Sequence, residues 1–293
     1  MNLKAYLDGT VAEVDAAMDG FLPGEDVRQE AMHAAMRYSV FAGGKRLRPV
    51  LCVAAAEACG GSREDAFAAA CALELMHTYS LVHDDLPCMD DDDLRRGRAT
   101  CHKVYGEGMA VLCGDALLTE AFLILTRAKG GERYTVGDMV EELAITGGSR
   151  KLIGGQVLDL EGEGKKLSKE ELVRIHEAKT AALLTASVKL GGMSAQAEPE
   201  KLEALAKFGY SLGLAFQVID DILDVTQTTE KLGKTAGKDE AVEKATYPSV
   251  IGLEESRIEA ERLTGEALAA LEIFGDQGFR LREIAEWMLG REY

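Results

Sequence analysis

Two aspartate clusters lie far apart in the chain, and each ends an apolar helical stretch: Asp84-Asp85-Leu86-Pro87-Cys88-Met89-Asp90 and Asp220-Asp221-Ile222-Leu223-Asp224. Either one alone would read as solvated acid at a helix end. Two, each with cations close by in sequence, predict facing carboxylate walls that hold divalent metal against an anionic substrate. Mg2+ suits that task, because it takes one or two carboxylates plus phosphate oxygens and keeps several waters. Without metal the carboxylates would repel a diphosphate, since unit charges about 4 Å apart interact by about 4 kcal/mol at an effective dielectric near ~20.

The cations are there. Gly43-Gly44-Lys45-Arg46-Leu47-Arg48-Pro49 is a dense basic turn, Arg95-Arg96-Gly97-Arg98 follows the first acidic cluster, and Lys179-Thr180, Lys234 and Lys238 come later. Lys45, Arg48, Arg95 and Arg96 lie beside a glycine hinge or the metal motif, which favours phosphate contacts; Arg46, Arg98 and Lys238 read as salt-bridging or solubilising residues. His77 lies below Asp84 on the same helical ladder and is placed for ligand contact.

The helices must position these groups. Leu73, His77, Ser80 and Asp84 are spaced four, three and four, so they share a face; Gly213, Gln217, Asp220 and Asp224 repeat the spacing. Leu205, Leu212, Phe216, Ile219 and Leu223 supply a neighbouring apolar seam. Carboxylates at a helix C-terminus oppose the helix dipole at a cost of up to ~1 kcal/mol each, which a bound cation would offset. Pro87 breaks the first helix and is expected to swing Asp90 back toward Asp84. Asp91, Asp92 and Asp93 extend the run without a face argument and read as outer-shell or solvated.

Of 293 residues, 47% are hydrophobic and 5 are proline, enough for a sizeable core. Acidic residues outnumber basic ones 50 to 33, a net charge of −17, which argues against nucleic acid and anionic membrane as non-specific partners. The cysteines, Cys52, Cys59, Cys71, Cys88, Cys101 and Cys113, have no Cys-x-x-Cys spacing and no secretory signal before them. Free thiols in a reducing cytoplasm are expected. Met109–Thr126 is the most apolar window, but Asp115 and Glu120 interrupt it, so a buried core helix is expected rather than a membrane span.

Ala, Leu, Glu and Lys dominate, and strand-like alternation is nearly absent. Helices are expected near 2–19, 25–41, 45–59, 63–86, 100–128, 137–162, 169–190, 199–226 and 254–290, the last broken. Glycine pairs at Gly43-Gly44, Gly60-Gly61, Gly130-Gly131 and Gly191-Gly192 mark several breaks. The fold class is all-α, a single-domain helical bundle over residues 1–293.

The run from Glu74 through His77, Ser80, Asp84, Asp85, Asp90, Arg95, Arg96 and Gly97 closely resembles the trans-isoprenyl diphosphate synthases. So do Gly43-Gly44-Lys45-Arg46-Leu47-Arg48-Pro49, Gly154-Gly155-Gln156, Lys179-Thr180, Phe216-Gln217 with Asp220, Asp221 and Asp224, and Leu232–Asp239. These motifs cover nearly the whole chain in family order. Pro87 and Cys88, the two extra residues inside the first motif, are typical of bacterial farnesyl and plant-like geranylgeranyl diphosphate synthases; the bacterial farnesyl enzymes resemble this chain most.

The resemblance implies a polyprenyl synthetase domain with the isoprenoid synthase fold, a bundle around a deep central cavity, and a homodimer. The reaction it implies is head-to-tail condensation of isopentenyl diphosphate with an allylic diphosphate: the allylic C–O bond ionises, the second substrate's double bond attacks the carbocation, and a proton is lost, with the departing diphosphate thought to be the base. By position, Asp84, Asp85, Asp90, Asp220 and Asp224 would bind Mg2+, about three ions per site. Arg95, Lys179 and Lys234 would hold the allylic diphosphate, and Lys45, Arg48, His77 and Arg96 isopentenyl diphosphate. Lys179 through its carbonyl, Thr180 and Gln217 would offer oxygen dipoles to the cation, with leaving-group charge stabilised electrostatically and water excluded.

A helix rises about 1.5 Å per residue, so Ser80 sits about 6 Å below Asp84 and Tyr79 about 7.5 Å below. A ring at Tyr79 is expected to act as a floor after few additions, giving mainly farnesyl diphosphate, with geranylgeranyl diphosphate as the alternative. Other readings are a terpene cyclase, a non-catalytic partner subunit and an acidic metal buffer. The first two are disfavoured by the intact second aspartate motif, and the last by the phosphate clamps.

Overall fold

The computed structural model describes residues 2–24, 26–226 and 245–290. Lys234, Lys238 and the Leu232–Asp239 segment lie outside them. The described residues are helical apart from loops and one two-stranded hairpin, as expected. In order they form α1 (Leu3–Phe21), α2 (Glu30–Val40), α3 (Leu47–Ala58), α4 (Arg63–Asp84), the hairpin β1 (Leu94–Arg95) and β2 (Arg98–Ala99), α5 (Cys101–Tyr105), α6 (Glu107–Leu125), α7 (Val136–Gly147) and α8 (Leu152–Gly162). Then come α9 (Lys169–His176), a π turn (Glu177–Ala181), α10 (Ala182–Ser194), α11 (Pro199–Thr226), α12 (Tyr247–Ile251), α13 (Leu253–Ala270), a 3-10 turn (Glu272–Gly278) and α14 (Phe279–Leu289).

The starts of these helices follow from local chemistry. Ser62 accepts a hydrogen bond from the Asp65 amide at 3.2 Å, and Glu64 and Asp65 fill the first turn of α4. Both satisfy orphan N–H groups and complement the dipole, an effect of ~1 kcal/mol for the cap. Thr135 with Asp138 and Ser168 with Glu171 form reciprocal capping boxes at α7 and α9.

Two apolar clusters make the core. One joins α1, α2, α4, α6 and α10 through residues such as Met18, Met36, Leu73, Met76, Leu117, Ile124 and Leu190. The other joins α3, α10, α11, α13 and α14 through Leu51, Leu184, Phe208, Leu212, Leu263 and Ile284. Burying each such side chain stabilises the fold by ~1.5–3 kcal/mol before conformational entropy is subtracted. The seam residues Leu205, Leu212, Ile219 and Leu223 are buried as the periodicity predicts, with Phe216 packed against them.

Several expected helices are interrupted. The 100–128 stretch breaks at Gly106, whose φ of 85° lies in the left-handed region that favours glycine. The 137–162 stretch breaks after Gly147, and 169–190 contains the π turn. The reading of 109–126 needs correction: α6 is long and apolar enough to cross a membrane by length and hydropathy, and only 39% of that window is buried. Asp115 and Glu120 are too few to lower its hydropathy. One face of α6 packs on α4, and Leu112 and Leu123 on the other are exposed.

Candidate active site

α4 ends at Asp84, and the chain folds back through Pro87. The Leu86 amide donates to the His83 carbonyl at 3.2 Å, and the Asp90 amide to the Asp84 carbonyl at 2.8 Å. The Asp90 backbone therefore returns against the helix end. Burial raises the Asp84 carboxyl to about 6, Lys179 opposes the rise, and the neighbouring charge of Asp90 adds to it. Asp85 is buried and also raised by burial; the opposing partner is Arg95, whose Nε donates to Asp85 at 2.9 Å. Arg95 also reaches Asp92 at 3.3 Å.

The β1–β2 hairpin carries Arg95 and Arg96 toward the Gly43-Gly44 turn. Arg96 donates to the Gly43 carbonyl, and a side chain on Gly44 would collide with the Arg96 guanidinium. Arg46 is buried: it donates to Asp15 at 2.9 Å, to Glu74 at 2.9 Å and to the Val40 carbonyl at 2.7 Å, a structural ion-pair network. Arg98 stacks 4.4 Å from the Tyr38 ring centroid. Lys45 is exposed, with its ammonium 5.5 Å from the Trp287 ring centroid.

Arg48 and His77 are different. The Arg48 Nε is buried with no hydrogen-bond partner among the described residues, and burial lowers its guanidinium to about 10. Burial, followed by Arg48, Arg96, Arg95 and Arg46, holds His77 well below the usual imidazole range, so the ring is neutral.

The π turn presents Lys179 and Thr180. It closes with the Ala182 amide donating to the Glu177 carbonyl, one residue further back than in an α-helix. Two glycines press on its backbone. A Cβ on Gly155 of α8 would come 2.5 Å from the Lys179 nitrogen, and one on Gly213 of α11 would come 2.6 Å from the Ala181 Cα. One turn after Gly155, Asp159 accepts from Lys179 Nζ at 2.6 Å. Asp159 stood outside the sequence motifs, although its i+4 spacing from Gly155 was a usable signal.

Thr180 links this turn to the second aspartate helix. Its Oγ1 donates to Gln217 Oε1 at 3.1 Å, and Gln217 Nε2 donates to Asp221 Oδ1 at 2.9 Å. The Tyr247 amide donates to the other Asp221 oxygen at 2.9 Å. Asp221 is thus a buried strut that fixes the Gln217 amide with its oxygen toward Thr180. Asp224 is buried and Asp220 half-buried at the same end of α11.

Residues of α3, α4 and the loop after it, α6, α8, the π turn and α10 enclose a cavity of about 420 Å³. Of the predicted residues, Arg48, His77, Tyr79, Ser80, Asp84, Lys179 and Thr180 line it. Lys45, Asp85, Asp90, Arg95, Arg96, Gln217, Asp220 and Asp224 do not; Asp85, Arg95 and Arg96 border a smaller hollow beside it. Much of the wall is apolar, with Leu86, Met89, Val111, Leu152, Ile153 and Leu183; Leu86 and Met89 fall inside the first aspartate motif, and the other four lie outside the motifs. Tyr79 meets the His83 ring edge-on, centroids 5.9 Å apart.

The donor set suits a hard divalent cation: carboxylate oxygens, with Asp84 raised chiefly by burial. The five predicted aspartates do not gather into one compact group. They come from two elements and repel one another. Among the described residues, the compact group of three possible ligands is Asp91, Asp93 and His102, with ligand atoms within 4.8 Å of one another.

Comparison with known proteins gives the same direction. The polyprenyl synthetase family model matches residues 29–272. The chain is 50% identical over 276 residues to a chloroplastic geranylgeranyl pyrophosphate synthase of Catharanthus roseus, covering 93% of this chain and 76% of that one. It is 46% identical over 296 residues to a dimethylallyltranstransferase of Fischerella ambigua, covering 100% and 84%. A solved FPP/GFPP synthase of Zymomonas mobilis matches with a TM-score of 0.86 at 34% identity, over 98% of this chain and 99% of that one. A geranyltransferase of Legionella pneumophila matches with a TM-score of 0.86 at 29% identity, over 99% and 98%. The all-α bundle is therefore the isoprenoid synthase fold, and the chain belongs to the polyprenyl synthetase family, a prenyltransferase.

Proposed function

We propose that this chain, as one polyprenyl synthetase domain, condenses isopentenyl diphosphate with dimethylallyl and geranyl diphosphates to give mainly farnesyl diphosphate. The observation that carries the reading is the lining of one cavity: Asp84, Arg48, His77, Lys179 and Thr180 supply polar groups, and Tyr79, Leu152, Ile153 and Leu183 an apolar wall. Asp84, Asp85, Asp90, Asp220 and Asp224 would hold Mg2+, which when bound neutralises the diphosphate and assists its departure. Arg95, Lys179 and Lys234 hold the allylic diphosphate, and Lys45, Arg48, His77 and Arg96 isopentenyl diphosphate. The buried, unpartnered Nε of Arg48 supports this part, since a phosphate oxygen would satisfy it.

Thr180 turns its hydroxyl hydrogen to Gln217 and so keeps oxygen lone pairs for a cation in the cavity. Gln217 positions that hydroxyl. The neutral His77 donates one ring hydrogen and carries no charge that would compete with the carbocation. The lost proton leaves on the departing diphosphate.

Tyr79, 5% exposed and lining the cavity, is the floor that stops the chain at fifteen carbons in this reading. A geranylgeranyl product is the second reading, favoured by the names of relatives such as the Catharanthus roseus enzyme. A homodimer would cover exposed apolar residues of α6 and α8 such as Leu112, Val157 and Leu160. The six free thiols suit a reducing compartment such as the cytoplasm, although several relatives are named chloroplastic. The deciding experiment incubates purified protein with Mg2+, isopentenyl diphosphate and each allylic diphosphate in turn. A product mainly of fifteen carbons is expected, and one mainly of twenty would replace the farnesyl reading.

A further inference from the structure

The group formed by Asp91, Asp93 and His102 plays no part in the mechanism above. It lies at the foot of the β1–β2 hairpin, where Asp93 precedes β1 and the Thr100 amide closes onto the Asp93 carbonyl at 3.0 Å. A ring nitrogen of His102 and carboxylate oxygens of Asp91 and Asp93 lie within 4.8 Å of one another. His102 is 6% exposed. Its Nδ1 is 3.1 Å from Thr100 Oγ1, while Nε2 is buried with no hydrogen-bond partner among the described residues. A buried ring nitrogen without a partner is costly. The Thr100 contact meanwhile holds the ring in one orientation beside the two carboxylates.

We propose that Asp91, Asp93 and His102 form a second cation site, separate from the diphosphate-linked Mg2+ site and selective for a borderline transition ion such as Co2+, Zn2+ or Mn2+. One imidazole and two carboxylates favour such ions over Mg2+, which prefers oxygen donors and retained water. Open positions go to solvent, because both aspartates are exposed. Lys103 Nζ now sits 2.6 Å from Asp93 Oδ1, with the two side chains 42% and 72% exposed. An ion pair that exposed is weak, and a divalent ion would displace it. Once loaded, the site clips the base of the hairpin that carries Arg95 and Arg96 to α5, steadying both arginines.

The test uses the full chain with Co2+ as probe, in excess Mg2+ and without any diphosphate. One Co2+ per chain is expected, with the visible absorption of a nitrogen-ligated ion. His102→Gln and the double change Asp91→Asn with Asp93→Asn should each weaken binding by at least about tenfold. Lys103→Gln should tighten it, and Asp84→Asn should leave it unchanged. If His102→Gln does not fold, the exposed aspartate pair decides alone. Loss of the Co2+ site with Asp84→Asn, its survival in the aspartate pair, or no binding beside excess Mg2+ would overturn the proposal. Hydrogen exchange over residues 94–100 should slow on Co2+ addition; unchanged exchange would overturn the clip. None of these readouts depends on prenyl transfer, so the outcome is independent of the proposed reaction.

Discussion

Gly155 of α8 and Lys179 of the π turn approach so closely that a Cβ on the glycine would lie 2.5 Å from the lysine amide nitrogen. A methyl group there meets the Lys179 nitrogen, the Ala178 carbonyl carbon and the Ala178 Cβ, and none of these rigid atoms yields cheaply. Gly155→Ala should cost ~1–3 kcal/mol in urea unfolding, as overpacking does. It should also lower turnover, because the turn it displaces carries Lys179 and Thr180. A variant with normal stability and normal turnover would show that the contact relaxes without consequence.

Removing the metal rim should abolish the chemistry while sparing the fold. Asp84→Ala and Asp220→Ala are each expected to reduce kcat by about 10³-fold or more, since metal-assisted departure is worth several kcal/mol. Circular dichroism should be unchanged. Near-normal rates in both variants would contradict the proposed mechanism.

Acid should weaken the divalent site. The Asp84 carboxyl is raised from 3.8 to about 6 in the metal-free fold, so the folded chain holds that proton more tightly than the unfolded one. The stability this gives is present below the unfolded value and is lost as pH rises through about 6. Metal-free protein should therefore gain melting temperature from pH 7 to pH 5 relative to Asp84→Asn. Apparent Mg2+ affinity in the presence of diphosphate should fall by about tenfold per pH unit below ~6 as the proton competes. Calorimetry across that range checks both.

Product length should follow the ring at position 79. Tyr79→Ala removes the side chain proposed as the floor and should shift the purified enzyme from fifteen-carbon to longer products. An unchanged product spectrum would refute the floor assignment.

The Arg46 network should be a stability element. Glu74→Ala leaves the guanidinium of Arg46 buried, with Asp15 still at 2.9 Å as its remaining charge partner. Breaking one side of a buried pair typically costs ~3–5 kcal/mol. Thermal unfolding should show that loss.

How much of this was legible in the sequence follows from the range of each interaction. The ladders through His77 and Asp84, and through Gln217 and Asp220, could be read because helical spacing alone puts those residues on one face. Pro87 announced the end of α4 by its own covalent structure. Arg46 could be read as a salt-bridging residue, although its partners could not. The π turn was not legible, because Glu177–Ala181 has the composition of an ordinary helix. The glycines that press on it, Gly155 and Gly213, come from other helices. Gly106 lies inside the expected 100–128 helix, and only its positive φ divides that stretch into α5 and α6. The role of Asp221 likewise depends on the Tyr247 amide, 26 residues away. The half-exposed face of α6 was missed because two acidic residues were weighed above its overall hydropathy.

The odd residue in the π turn makes the count of amino acids between α9 and α10 as consequential as their identity. Deleting Ala178 would let the segment relax into an unbroken α-helix with regular hydrogen bonding, a more comfortable state for the backbone. It would also rotate Lys179 and Thr180 away from their partners. Such a deletant should withstand heat as well as its parent or better, yet do no work. A breeding scheme that rewarded heat resistance alone would therefore be expected to discard this irregularity, and one that rewarded output would keep it.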